Sequence, residues 1–324
     1  MKKLMGMMAL LLIVAMTVVG CGSNPSSEGN EAADEPGKPA NLTVLAGTAG
    51  GSWMPIGAAV AEIFSDNGVK ANSEQGGGVS NVTAISRGEG DIGFTMTIIP
   101  SIARAGEQPF DGVYDNVAGL AVLFPNFNHV MVGPEVNSLE DLKGKGFVTQ
   151  PVGHATQVAF RDLLAAYGMT EDDLKLTRGS QTEGVELMKD GHVIGLTATT
   201  AAPGGSLTEL ATSKDIKFLG VDDEHLAKLK EINDGYVRTN LKPNTYPGQT
   251  EEVQGVGTDT VLIVRKDMSD EEVYWITKTL AENIQKLKDS HACMADLTLE
   301  QMASVTGVSM HPGAQKYWDE VLNK

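Results

Sequence analysis

The chain has 324 residues, 41% of them hydrophobic, with 25 Lys and Arg against 42 Asp and Glu, a formal net charge of −17. Such acidity repels nucleic acid and anionic lipid head groups, so an anionic ligand must be held by local geometry against the global charge. The only cysteines are Cys21 and Cys293, too few for a disulfide framework, so the core is expected to stand on apolar packing.

Lys2 and Lys3 precede a short apolar run, Leu4 to Val19, which ends in Val18-Val19-Gly20-Cys21. That order reads as a secretory signal over residues 1–20 rather than a spanning helix. The small residue before cysteine reads as a bacterial lipobox, with Cys21 lipidated and the chain tied to the outer face of the cytoplasmic membrane. An ordinary signal peptide with a chance cysteine is the rival reading. Cleavage would remove two lysines and no acid, taking −17 to −19. Residues 21–40 are rich in Gly, Ser, Glu and Pro without apolar periodicity, and read as a flexible tether.

The body, 41–324, is expected to alternate strands and helices. Leu42 to Ala46 is an apolar run; Gly47 to Ser52 is a glycine-rich turn; Ile56, Ala59, Val60, Ile63 and Phe64 then follow helical spacing. Such a strand–loop–helix unit aims unpaired N–H groups and a positive dipole end at one spot. A tight βα turn that binds nothing fits the same residues, but the unit recurs. Val69 to Glu74, Gln75 to Gly78 and the Val79, Val82, Ile85 face make a second. Asp91 to Met96 is the next strand. Phe147 to Gln150, Pro151 to Ala155 and the Phe160, Leu163, Leu164 face make a third. His192 to Thr199, Thr200 to Gly205 and a helix capped by Ser206 make a fourth.

Between the pairs of units, two apolar runs, Val117 to Phe124 and His129 to Val132, bracket a bend at Pro125 to Asn128. This reads as a crossing to a second domain, with Thr245 to Val264 as the return. The expected division is 41–124 with 256–324 as lobe I and 125–255 as lobe II. In such α/β lobes, ligands sit at strand carboxyl ends against helix N-termini. The candidate ligand residues are Thr48, Gly51, Ser52 and Trp53; Gly77, Gly78, Ser80 and Asn81; Thr95; Gly153, His154, Ala155 and Thr156; Thr199 and Pro203; and Tyr246. Tyr246 fits equally a cleft wall or hinge packing, and His154 fits loop structure as well as ligand contact. Gly88-Glu89-Gly90-Asp91-Ile92-Gly93 matches a dinucleotide fingerprint by letter, but runs from helix to strand, the wrong order.

Four stretches carry a family resemblance: Ala46-Gly47-Thr48-Ala49-Gly50-Gly51-Ser52-Trp53-Met54-Pro55-Ile56-Gly57, Gly77-Gly78-Val79-Ser80-Asn81, Thr245-Tyr246-Pro247-Gly248-Gln249 and His311-Pro312-Gly313-Ala314. In this order they resemble TAXI-type solute receptors of TRAP transporters. The resemblance implies a two-lobed, type II-like periplasmic-binding-protein fold, each lobe a mixed sheet flanked by helices with the cleft between. It also implies glutamate, 2-oxoglutarate or another dicarboxylate as ligand, no cofactor, and TRAP membrane subunits as partners. The chain departs from the pattern at Thr95-Met96-Thr97-Ile98 and at Ala202, where a less polar pocket results and ligand identity stays open.

No G-x-S-x-G and no H-E-x-x-H is present, so neither a nucleophile elbow nor a zinc-hydrolase helix supports an enzyme. The histidines lack metal-ligand spacing. Arg87, Arg161 and Arg178 have surface explanations, so the anion is expected to be held by backbone N–H groups and hydroxyls. Alternative readings are a ligand-sensing module for a membrane signalling partner, or the binding protein of an ATP-driven importer.

Overall fold

A single strand joins the two halves of the molecule. Val117–Val132 runs for 16 residues, buried at every position except Pro125. The expected bend at Pro125 to Asn128 is instead a change of partner within one strand. The segment 117–127 pairs with Val256–Arg265, and 127–132 pairs with Gly195–Thr200, both antiparallel. A proline has no N–H to donate to the ladder, and this one sits where the strand leaves one half of the sheet for the other.

The computed structural model describes residues 35–47 and 52–323. Its strands are β1 (Asn41–Leu45), β2 (Lys70–Glu74), β3 (Ile92–Met96), β4 (Val117–Val132), β5 (Gly146–Thr149), β6 (Lys175–Arg178), β7 (Gly195–Thr200), β8 (Lys217–Phe218), β9 (Tyr236–Arg238) and β10 (Val256–Arg265). They form one mixed sheet in the order β2-β1-β3-β10-β4-β7-β5-β6, with β8 on β4 and β9 on β10. Strands β1, β2 and β3 are parallel, as are β5, β6 and β7, while β10 runs against both β3 and β4. The result is a two-lobed α/β fold with each parallel trio flanked by helices.

The helices are α1 (Trp53–Asp66), α2 (Gly78–Arg87), α3 (Ile99–Ala105), α4 (Ala155–Ala166), α5 (Gln181–Lys189), α6 (Gly205–Ser213), α7 (Asp223–Ile232), α8 (Asp270–Glu282), α9 (Ile284–Ser290), α10 (Leu299–Ala303) and α11 (Pro312–Leu322). Ile56, Val60, Ile63 and Phe64, the expected face of α1, are all buried. They pack with Leu262 of β10 and Trp318 of α11 in one core. A second core runs through both lobes on the opposite face, from Val82, Ile85 and Ile102 to Val130, Val158 and Phe160. A third, around Phe127, Met131, Leu196 and Tyr246, belongs to the second lobe.

Two local expectations change. The tether does not reach residue 40: Trp275 Nε1 donates to the Glu35 carboxylate at 2.8 Å, the Lys38 ammonium lies 5.9 Å from the Trp275 ring, and Gly37 approaches the Glu271 backbone too closely for any Cβ. Its polar composition hid a docked strap whose partners lie on α8, more than 230 residues away. The cap of α6 is Gly204, not Ser206; Ser206 lies inside the first turn, where its hydroxyl accepts from Gln181 Nε2 at 2.6 Å.

Candidate functional site

Parallel order places the carboxyl ends of β1 and β3, and those of β5 and β7, at the two sides of the β4 crossing. On the first side the Trp53 ring lies over Phe94 at 5.8 Å between centroids, and its Nε1 donates to Thr260 Oγ1 at 3.1 Å. Asn126 Nδ2 donates to the same hydroxyl at 3.0 Å and to Thr258 O at 3.2 Å. Thr95 is fully buried and donates to Gly78 O at 2.9 Å. A Cβ at Gly78 would stand in van der Waals contact with both Thr95 and Trp53. So Trp53, Gly78 and Thr95 form one wall, while Ser80 is exposed and donates back to Gly77 O at 3.1 Å. Thr48 and Gly51 lie outside the described residues, and Ser52 is the half-buried residue before α1.

Asn81 is 1% exposed and has its amide spent on the protein. Its Nδ2 reaches Leu45 O, Ala46 O and Phe94 O at 2.8–2.9 Å, and its Oδ1 accepts from Gly77 N–H at 3.0 Å. It clamps β1, β3 and the second loop together. The glycine whose missing side chain this clamp requires is Gly76, where a Cβ would overlap Asn81 Oδ1; at Gly77 the nearest atom is 3.4 Å away.

On the second side Thr156, in the first turn of α4, accepts from Thr199 N–H at 3.2 Å, and Thr199 Oγ1 donates to Asn128 Oδ1 at 2.9 Å. Ala155 is buried, and His154, the residue before α4, is exposed. Gly153, at φ 92°, faces Pro109 of the first lobe, 3.1 Å from where a Cβ would stand. Pro203 is exposed. Tyr246 is 2% exposed and sits in the second-lobe core. Its hydroxyl donates to His129 Nε2 at 2.7 Å and accepts from Gly204 N–H at 2.8 Å, while His129 Nδ1–H donates to Ala198 O at 3.0 Å. The tautomer is assigned from these partners. Burial holds His129 down at about 4 and pushes Tyr246 up to about 12.

The floor of the crossing was missed in the sequence. Asn126, Asn128, Thr149, Thr258 and Thr260 are buried polar residues there. Asn128 Nδ2 and Thr149 Oγ1 have no hydrogen-bond partner among the described residues. Asp259 lies opposite Pro125, and burial pushes its carboxyl up to about 6. The available signal was Asn126-x-Asn128 and Thr258-x-Thr260 inside strands that should read as near-continuous apolar runs. The arginines do not enter. Arg87 donates to Tyr114 Oη at 2.7 Å, Arg161 pairs with Asp162 and Arg178 with Glu171, each at 2.9 Å.

Two cavities of about 240 and 410 Å³ lie elsewhere, one beside Lys145, His192 and Lys214, the other beside Tyr167, Phe218 and Glu252. Neither is lined by a candidate residue. Among the described residues no group of three or more His, Cys, Asp or Glu stands together as a metal centre would. No described helix is long and apolar enough to cross a membrane.

Solved structures with a similar chain course include the alkanesulfonate-binding protein SsuA from Xanthomonas axonopodis pv. citri bound to MOPS, at 15% identity and TM-score 0.47, over 87% of this chain and 84% of that one. The periplasmic aliphatic sulphonate-binding protein SsuA from Escherichia coli matches at 12% identity and TM-score 0.47, over 87% and 79%. The substrate-binding protein of an amino acid ABC transporter matches at 14% identity and TM-score 0.43, over 77% and 96%. A family model matches residues 44–321, and it is that of the NMT1-like family. This overturns the expected assignment to the TAXI-type TRAP receptors. Two of the motif stretches, Ala46 to Gly57 and Gly77 to Asn81, are glycine-rich segments leading into helices, a pattern that recurs wherever anions meet an α/β sheet and does not mark one family. The chain, matched over nearly its whole body, belongs to the NMT1-like family.

Proposed function

We propose that this protein is an extracytoplasmic solute-binding protein that closes two lobes on a small polar ligand and delivers it to the membrane subunits of an ATP-driven importer. The observation that carries the reading is the β4 crossing. Strand ends and helix N-termini of both lobes stand around buried hydroxyls and amides there, of which Asn128 Nδ2 and Thr149 Oγ1 have no partner among the described residues. The lobes are 41–124 with 256–324, and 125–255, hinged where β4 changes partner and where β10 returns. Ligand contacts come from Trp53, Gly78 and Thr95 on one side and from Thr156 and Thr199 on the other, with the Gly153 to Ala155 turn at the rim. The sulfonate and amino-acid ligands named for similar structures set the first solutes to try. Anchoring through Cys21 rests on the order of basic, apolar and small residues before it.

The test is thermal shift of the purified protein against panels of sulfonates, amino acids and dicarboxylates. A true ligand at a hundred times its dissociation constant adds about 2.7 kcal/mol to stability. Cys21→Ala, scored in the same cells, should move the protein from membrane to soluble fractions. No shift from any class of small solute would remove the binding reading.

A further inference from the structure

The helices divide by what closes their first turns. Each of α5, α7 and α8 has a side-chain cap, from Ser180, Asp222 and Ser269, and at least one acidic residue in its first turn. Such residues meet the free N–H groups and the positive end of the helix dipole. In contrast, α1, α2, α4 and α6 have neither a side-chain cap bond nor an acid in the first turn, in a chain with 42 Asp and Glu to place. These helices follow β1, β2, β5 and β7. At α4 a second feature stands beside the open end.

That feature is the Asn128 amide. Across the β4–β7 ladder Asn128 lies opposite Thr199, and Val130 opposite Thr197, so these side chains share one face of the sheet. It is the face that α4 covers, because Val130 packs in one core with Val158 and Phe160 of α4. Hydrogen bonds through Thr199 tie Asn128 to the start of that helix. Thr199 Oγ1 donates to Asn128 Oδ1 at 2.9 Å, and Thr199 N–H donates to Thr156 Oγ1 at 3.2 Å. Asn128 is 4% exposed, and its Nδ2 has no acceptor among the described residues. A buried donor without a partner is costly, and a group admitted as the lobes part can meet it.

The free groups at this spot are donors, and they are neutral. Residues 151–156 hold no Lys or Arg, and Asn128 Oδ1 is already engaged by Thr199. Hydrogen bonds to an ionised oxygen are roughly twice as strong as those to a neutral one. An amide in the same place brings N–H donors of its own against donors.

We infer that the second lobe holds its ligand by an ionised carboxylate or sulfonate, whose oxygens accept from the free N–H groups of the first turn of α4 and from Asn128 Nδ2. This rests on the solute-binding reading above; it adds Asn128 to the contacts and narrows the ligand from a small polar solute to an organic oxyanion. The experiment is isothermal titration calorimetry on the purified protein with acids and their uncharged amides: ethanesulfonate against ethanesulfonamide, glutarate against glutaramide, and L-leucine against L-leucinamide. In at least one pair the acid should bind roughly tenfold tighter or more. Asn128→Asp, which exchanges the free donor for a negative charge at constant shape, should abolish that preference. Asn128→Leu, which removes the donor and buries no charge, should do the same and serves where Asn128→Asp fails to fold. Amides that bind as tightly as their acids, or a preference that survives in a folded Asn128 variant, overturn the inference and leave the solute-binding reading in place. Binding by no solute of any class removes both.

Discussion

Two neighbouring residues of β4 anchor two polar nodes on opposite faces of the sheet, and the nodes differ in one respect. At His129 every valence is closed. Gly204 N–H feeds Tyr246 Oη, Tyr246 feeds Nε2, and Nδ1–H feeds Ala198 O. Phe127, Phe218 and Tyr246 ring it at 5.0–6.0 Å. At Asn128 the node is left open: Oδ1 accepts from Thr199 Oγ1, and Nδ2 is unmatched among the described residues. A closed polar node fixes a structure, here the loop after β7. An open one has a cost in the empty protein that a ligand can relieve. Residue type alone would have suggested the reverse, since His and Tyr look like site residues and Asn and Thr like filler.

The contrast is sharpest in its pH dependence, and the largest effect is expected at His129. Its folded value, about 4, lies below the ordinary 6.5, so the unfolded chain binds the proton first. Stability is fully present above pH 6.5 and is lost as pH falls from 6.5 toward 4, by about 3 kcal/mol at the lower end. Urea unfolding at pH 7 and at pH 4.5 measures it. A histidine that is open to solvent would give no such loss, and the two nodes would then not differ.

Asp259 should behave in the opposite sense and somewhat more weakly. Its folded value, about 6, lies above the ordinary 3.8, so the native state holds the proton longer. The stability from that protonated form is full below pH 3.8 and is lost as pH rises through 6. Asp259→Asn should therefore raise the stability of the ligand-free protein at pH 8 by roughly 2 kcal/mol, with the gain fading by pH 4. Denaturant midpoints of the two proteins at both pH values check this. A destabilised Asp259→Asn at pH 8 would mean that the carboxylate has a structural partner in the folded protein.

The smallest effect concerns the arginines. Arg87 and Arg161 are engaged by Tyr114 and Asp162, away from both nodes. Arg87→Ala and Arg161→Ala should leave the affinity for whichever solute calorimetry finds within a few-fold. Loss of binding in either variant would place the anion on a charge pair and move the site off the crossing.

Much of the scaffold was legible because it rests on local physics. The faces of α1, α2 and α4, with Ile56, Val82 and Phe160 inward, follow from 3.6-residue spacing. Pairs of strand–loop–helix units follow from glycine-rich turns before those faces. Other features needed partners far along the chain. Pro125 read as a bend because proline usually ends pairing, yet here the strand only exchanges β10 for β7. Residues 35–40 read as tether because Trp275 is 240 residues from Glu35. Asn81 read as a cap or a contact, and the backbone carbonyls of Leu45, Ala46 and Phe94 decided that it is a clamp.

What the sequence by itself determined is therefore the strand–loop–helix units around α1, α2, α4 and α6, since spacing and turn chemistry act over a few residues. Only the tertiary structure decided which polar residues are spent and which are left over. Hydrogen-bond satisfaction is a property of the whole fold, and the same asparagine is a clamp at 81 and an open donor at 128. The difference is set by whether other strands bring enough acceptors within about 3 Å.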